Sequence, residues 1–249
     1  MRDIIGMISQ RAEQLFGRQS ALPSRTSSDA REGYEQRLGH ILAAACGAIA
    51  RLGYERASMR AVAKATGVSL AGLYHYFDNK EKMLFLMQFR TFSALHQNLL
   101  EKLHGVVDPE EQLRVMIRAH VSYFAANMDA LKVCSHELDT LSGSAYEQTR
   151  DIRREYYALT RSIIERLLDA HAPATTLNRH VLTMSLFGTL NWLYRWYDPA
   201  GGPSVATVSN QIASQFLHGI YHLADTADSA AAYARGLPPD ASNAAAQTP

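Results

Sequence analysis

The stretch GVSLAGLYHYFDNKEKML, residues 67–84, decides how the rest of the chain is read. It opens on Gly67, runs through small residues to Leu73, sets Tyr74, His75 and Tyr76 in a row, and turns polar at Asp78-Asn79-Lys80-Glu81. Glycine takes a left-handed backbone without steric cost, so Gly67 suits a tight turn between two helices. Ser58 caps the helix before it, MRAVAKA, and Ser69 caps the very short helix after it, LAGLYHY. Two helices joined in this way form a helix-turn-helix, whose second member enters the DNA major groove with its N-terminal residues at the base edges. Those residues are Ser69, Leu70, Ala71 and Gly72; they are small enough for close approach, and Leu70 and Ala71 suit thymine methyl groups. Tyr74 and Tyr76 carry neutral hydroxyls on rigid rings, suited to phosphate oxygens, and His75 between them can meet a base or a phosphate. Lys80 starts the next helix, capped by Asp78 or Asn79, and sets a cation beside unpaired backbone N–H groups, a phosphate site. Arg60, in the first helix of the pair, can reach a phosphate or a guanine edge.

Outward from this stretch the pattern is helical throughout. Leu38, Ile41, Leu42, Ala45, Ile49 and Leu52 recur at helical spacing from about residue 35, and Gly53 supplies the stop. Asp108 and Pro109 open a helix through LRVMIRAHVSYFAANM, and others are expected near 131–141, 145–170, 176–197 and 205–223. No period-2 strand pattern of any length occurs. Residues 1–35 read as an extension, with Ile4, Ile8 and Leu15 on one face of a short helix and a Ser-, Arg- and Gly-rich linker behind it. Residues 36–82 are the helix-turn-helix domain and 83–228 a ligand-binding and dimerisation domain; 229–249 is a tail poor in large apolar residues.

The composition limits the function classes. A net charge of +1 over 249 residues means that any nucleic-acid site is a local patch. Such a patch exists: from Arg37 to Arg90 the bases are Arg37, Arg51, Arg56, Arg60, Lys64, Lys80, Lys82 and Arg90, against the acids Glu55, Asp78 and Glu81. Two cysteines are too few for a disulfide framework and favour a reducing, cytoplasmic compartment. No run approaches the ~20 apolar residues of a membrane span. There is no nucleophile elbow, P-loop or metal motif, so neither an enzyme nor a cofactor is expected. Cys134 with His136, Glu137 and His120 lacks metal-ligand spacing on one helix face.

The segment ASMRAVAKATGVSLAGLYHYFDNKEKML, within residues 37–86, resembles the DNA-binding signature of the TetR family of bacterial transcriptional regulators. The resemblance implies an all-α protein with a three-helix DNA-binding domain, a connecting fourth helix and a larger helical ligand domain that dimerises. Carried over by position, phosphate contacts fall on Ser58, Tyr74, Tyr76 and Lys80, and base or groove contacts on Arg60, Ser69, Leu70, Ala71 and His75. The long N-terminus departs from the family's usual short lead.

Two further stretches bear on control. Val205, Val208, Ile212, Phe216 and Gly219 form a narrow seam that is either an internal core stripe or one side of a two-fold four-helix interface, together with Leu182, Ser185, Leu186 and Thr189. A homodimer places two reading heads on a palindromic operator of double-stranded DNA. FGTLNWLYRWYDPAGG, residues 187–202, gathers Trp192 and Trp196 on one expected helix face with Asn191 and Arg195 on the next. It is similar to the C-terminal part of a TetR subgroup whose effectors are acyl-CoA thioesters, including repressors of fatty-acid and steroid degradation. Coenzyme A needs cations, for which Arg150, Arg153, Arg154, Arg161 and Arg195 are candidates; its acyl group needs an apolar tunnel, for which Met116, Tyr123, Phe124, Leu159, Ile163 and Phe187 are candidates, each also suited to an ordinary core. The expected function is a repressor released from DNA by such an effector. A sensor of drug-like molecules and an effector-free architectural DNA-binding dimer are the alternatives.

Overall fold

The computed structural model describes residues 28–171 and 177–225. The fold is all-α, and no strand occurs among the described residues. The helices are α1 (Ser28–Leu52), α2 (Met59–Thr66), α3 (Leu70–Tyr76), α4 (Lys80–Leu103), α5 (Pro109–Ala125), α6 (Met128–His136), α7 (Gly143–His171), α8 (Arg179–Asn191) and α9 (Val205–Asp225), with a 3-10 turn at Leu193–Arg195. The expected helix at residues 4–15, residues 172–176 after the long helix expected near 145–170, and the tail at 229–249 lie outside the described residues.

Local chemistry sets most of the boundaries. Ser58, Ser69, Asn79 and Asp108 each accept a hydrogen bond from a backbone N–H of the first turn they cap. Gly67 ends α2 in the left-handed conformation, φ +69°, as the turn requires. Three boundaries differ from expectation. Helix α1 begins at Ser28, inside the expected linker, because Tyr34 and Glu35 have partners on the body: Tyr34 stacks on Tyr76 at 5.2 Å, and Glu35 pairs with Arg90 at 3.0 Å. Helix α6 spans Met128–His136 rather than 131–141. Helix α8 stops at Asn191 rather than running to residue 197. There the backbone tightens into the 3-10 turn, which buries Leu193 and Tyr197 before Pro199 blocks further helix.

Two apolar cores result. The head core joins α1, α2, α3 and the first half of α4 through Ile41, Ile49, Val62, Leu73, Phe77 and Leu84; Val133, Leu141 and Ile152 enter it from the α6–α7 side. Full burial of a side chain the size of Leu73 is worth about 1.5–3 kcal/mol. The second core joins the rest of α4 (Leu95, Leu99) to α5, α7, α8 and α9. Phe92 packs against both. Helix α4 therefore belongs to both halves, and the sequence boundary at residue 82 falls within a shared element.

Candidate DNA-binding face and effector site

On the head, Ser69, Ala71, Tyr74 and His75 are exposed together along α3, with Arg60 and Ser58 exposed on and before α2. Tyr74 is 49% exposed, which a ring closing a core would not be. The Ser58 and Ser69 oxygens accept the cap bonds at 3.2 and 3.0 Å, and this leaves each hydroxyl proton able to donate to a phosphate. His75 sits edge-on to Tyr76.

Four residues behave otherwise than expected. Leu70 is half-buried and packs on the head core, so part of its side chain is turned inward. Tyr76 is half-buried beneath Tyr34. Gly72 serves α3 internally: a Cβ there would lie 2.8 Å from Val68 Cγ1 and 3.1 Å from Ser69 Oγ, so its smallness accommodates the turn as well as any base. Lys80 does not stand beside the N–H groups of its own helix. Its ammonium donates to the carbonyls of Tyr54 at 2.9 Å and Glu55 at 3.4 Å, over the Tyr54 ring at 4.0 Å, and one N–H remains for a phosphate. Burial pushes neighbouring Lys82 down to about 8.

Polar contacts tie the head to the larger domain. Glu81 Oε1 accepts from the N–H and the hydroxyl of Ser142, both at 2.8 Å, at the start of α7. That carboxylate also lies in the first turn of α4, so it serves two helix N-termini. Gln88 Nε2 donates to the Glu137 carbonyl at 2.9 Å, and Lys132 donates to the Ala50 carbonyl at the end of α1. All three partners lie in α6 or the α6–α7 connection.

A polar seam is buried inside the larger domain. Thr149, Arg153, Tyr156 and Thr160 recur at spacings of 4, 3 and 4 along the inward face of α7. Gln88 and Thr91 of α4 and His120 of α5 are also buried. The Arg153 guanidinium donates to the Cys134 carbonyl at 2.8 Å and lies 4.8 Å from the Phe92 ring, with no ion pair among the described residues; burial lowers its pKa. Tyr123 and Cys134 border the same space, and burial pushes each up to about 12. His120 is 1% exposed, its Nδ1 lies 3.1 Å from the Tyr156 hydroxyl, and burial pushes it down to about 3. Around it stand the rings of Phe124 at 4.8 Å, Tyr156 at 6.0 Å and Phe187 at 6.2 Å. Gln88 Oε1, Thr149 Oγ1 and His120 Nε2 are buried without hydrogen-bond partners.

Of the expected ligand residues, Tyr123, Phe124, Arg153 and Phe187 line this interior. Arg154 is exposed on the other side of α7, apart from Arg153. Arg161 pairs with Glu165 and Arg150 with Asp151, the ordinary pattern of a solvated face. Trp192 and Trp196 do not share a helix face, because the helix has ended. Both are more than half exposed, and Arg195 stacks over Trp192 at 5.5 Å. Asn191, half-buried, ends α8 beside them. Tyr194 of the same turn meets His136 of α6 at 2.6 Å. The sequence reading missed Gln88, Thr149 and Tyr156, and considered His120 only as a metal ligand; the 4-3-4 polar spacing on α7 was the available signal. Among the described residues no group of three His, Cys, Asp or Glu side chains could hold a metal ion. Nor, among them, is any helix long and apolar enough to cross a membrane.

The seam on α9 divides. Val208 is buried in its own core, whereas Ile212, Phe216 and Gly219 line an apolar groove with Leu182, Ser185 and Thr189 of α8, Ile212 also reaching the core. Val181 and Met184 on α8 are 57% and 50% exposed.

Comparison with known proteins gives a consistent result. Residues 41–87 match the family described as bacterial regulatory proteins, tetR family, and residues 106–220 match the tetracyclin repressor-like C-terminal domain. A TetR-family transcriptional regulator from Bordetella parapertussis 12822 is 30% identical with a TM-score of 0.68, over 74% of this chain and 95% of that one. The HTH-type transcriptional repressor KstR2 of Rhodococcus jostii (strain RHA1) is 23% identical over 194 residues, 78% of this chain and 95% of its own length. AibR, solved in complex with isovaleryl coenzyme A and operator DNA, is 25% identical with a TM-score of 0.63, over 73% of this chain and 96% of its own.

Proposed function

The chain belongs to the TetR family of bacterial transcriptional regulators, and from that premise we propose that it is a homodimeric repressor released from a palindromic operator by an acyl-CoA thioester. The observation that carries the effector reading is the buried interior of the larger domain. A purely structural core excludes polar groups that lack partners, since each such group costs about 1–3 kcal/mol. This one keeps an amide oxygen, a hydroxyl and an imidazole nitrogen without partners, near a guanidinium held by a carbonyl and an aromatic ring. That mixture suits a long ligand, apolar at one end and polar along the rest. The AibR complex holding isovaleryl coenzyme A with operator DNA supports this choice of effector.

In this reading α3 enters the major groove with Ser69, Ala71 and His75 toward the bases, while Ser58, Tyr74 and the remaining N–H of Lys80 meet phosphates. The apolar α8–α9 groove is the dimer face, which sets the spacing of the two heads. Arg195 on Trp192 offers a cation and a flat ring to the nucleotide end of coenzyme A. Ligand in the interior presses on α6 and α7, and Lys132, Glu137 and Ser142 carry the shift to α1 and α4. By linkage, operator DNA weakens effector binding by the same factor as effector weakens DNA binding.

The test is release of the full-length protein from operator DNA by isovaleryl-, octanoyl- and palmitoyl-CoA, each against its free acid and against coenzyme A alone. Release by a thioester at concentrations where the acid and free coenzyme A do nothing is the expected result. Equal release by the free acid removes coenzyme A from the reading.

A further inference from the structure

We infer that His120 donates a hydrogen bond from Nε2 to the thioester carbonyl of the effector, and so selects acyl-CoA over chains that lack that oxygen. The inference rests on the acyl-CoA reading above and deepens it.

The tautomer follows from the hydrogen bonds. The Tyr156 hydroxyl is buried, and its one partner among the described residues is His120 Nδ1. A buried hydroxyl proton must be used, so Tyr156 donates and Nδ1 accepts. A neutral imidazole accepting at Nδ1 carries its proton on Nε2. That N–H has no partner. Burial keeps the ring neutral, so it presents a dipole rather than a cation, which suits a carbonyl oxygen better than a phosphate.

The order of groups along α7 fixes which oxygen. Near the head lie the orphan Gln88 oxygen, the orphan Thr149 hydroxyl and the Arg153 guanidinium. One turn on come Tyr156 and His120. Farther along α7 the buried face turns aliphatic at Ile163, Ile164 and Leu167, while Phe187 packs against Tyr156 and Tyr157 level with His120. An acyl-CoA has the same sequence of chemistry: pantetheine amides, then one carbonyl, then hydrocarbon. Gln88 Oε1 suits an amide N–H, His120 Nε2–H suits the thioester oxygen, and the aliphatic face beyond suits the chain. Because the desolvation of His120 is already incurred on folding, ligand binding gains a hydrogen bond without that cost on the protein side.

The experiment compares octanoyl-CoA with S-octyl-CoA, the thioether of equal length without the carbonyl, on the full-length protein by calorimetry. The wild type should bind the thioester roughly ten- to a hundredfold more tightly. His120→Phe should hold the thioether as the wild type does and lose the preference, whereas His120→Gln, which keeps an N–H, should retain part of it. With a 13C-labelled carbonyl, the bound thioester stretch should shift to lower frequency in the wild type, a readout that stands even if His120→Phe does not fold. Equal affinity for both compounds, or an unshifted stretch, overturns the His120 assignment while leaving the acyl-CoA reading intact. Binding of neither compound overturns both.

Discussion

His120 makes acid a probe of the buried interior. In the unfolded chain the imidazole takes a proton below its ordinary pKa of 6.5; in the native state burial withholds that proton until about 3. Between these values the unfolded state binds more protons, so stability present above pH 6.5 is lost as pH falls. The slope is about 1.4 kcal/mol per pH unit, and at pH 5 the accumulated loss from this one residue is about 2 kcal/mol. Replacing His120 by Phe removes the titrating group and fills the same aromatic surroundings. The measurement is the urea midpoint and slope of wild type and His120→Phe at pH 7.5 and pH 5, at one fixed protein concentration. Other titrating groups enter both proteins alike, and burial is the cause of the His120 shift. The wild type should therefore lose about 2 kcal/mol more than the variant on acidification. A difference under about 0.5 kcal/mol would mean that the native ring accepts its proton near the ordinary pKa, and the burial argument for an orphan N–H would fail with it.

Three other outcomes are expected. Tyr74→Phe should weaken specific and non-specific DNA alike with melting unchanged within about 0.5 kcal/mol, while Lys80→Ala should weaken DNA and also cost about 1 kcal/mol of stability, because its ammonium holds the Tyr54 and Glu55 carbonyls; electrophoretic shifts beside urea melts separate the two. Gly72→Ala should destabilise the head by about 1 kcal/mol despite the better helix propensity of alanine, because the stiff Val68 side chain must move, and Val68→Ala in the same chain should relieve the clash. Glu81→Gln should reduce the ratio of operator affinities measured without and with effector by severalfold, through its weakened hold on Ser142; an unchanged ratio removes this contact from the coupling route.

Features set by neighbours in sequence were legible without the fold. The Gly67 turn, the caps at Ser58, Ser69 and Asp108, and the helical periodicity of α1 are decided by groups three or four residues apart, whose geometry is the same in any protein. The bounds of the short helix α3 followed from those signals, and the all-α class from the family resemblance together with the helical pattern along the chain. Contacts between distant residues were not legible. Lys80 crosses 26 positions to Tyr54, His120 meets Tyr156 across 36, and Glu81 reaches Ser142 across 61. Tyr34 looked like linker until Tyr76 lay beneath it, and the Trp192–Trp196 pair looked like one helix face until burial of Leu193 and Tyr197 tightened the backbone. Each of these residues carries a group that several partners could satisfy, and spacing along the chain does not rank them. Only the packing of helix faces settles which polar groups are removed from water together, and so which find a partner and which, like His120 Nε2, are left without one.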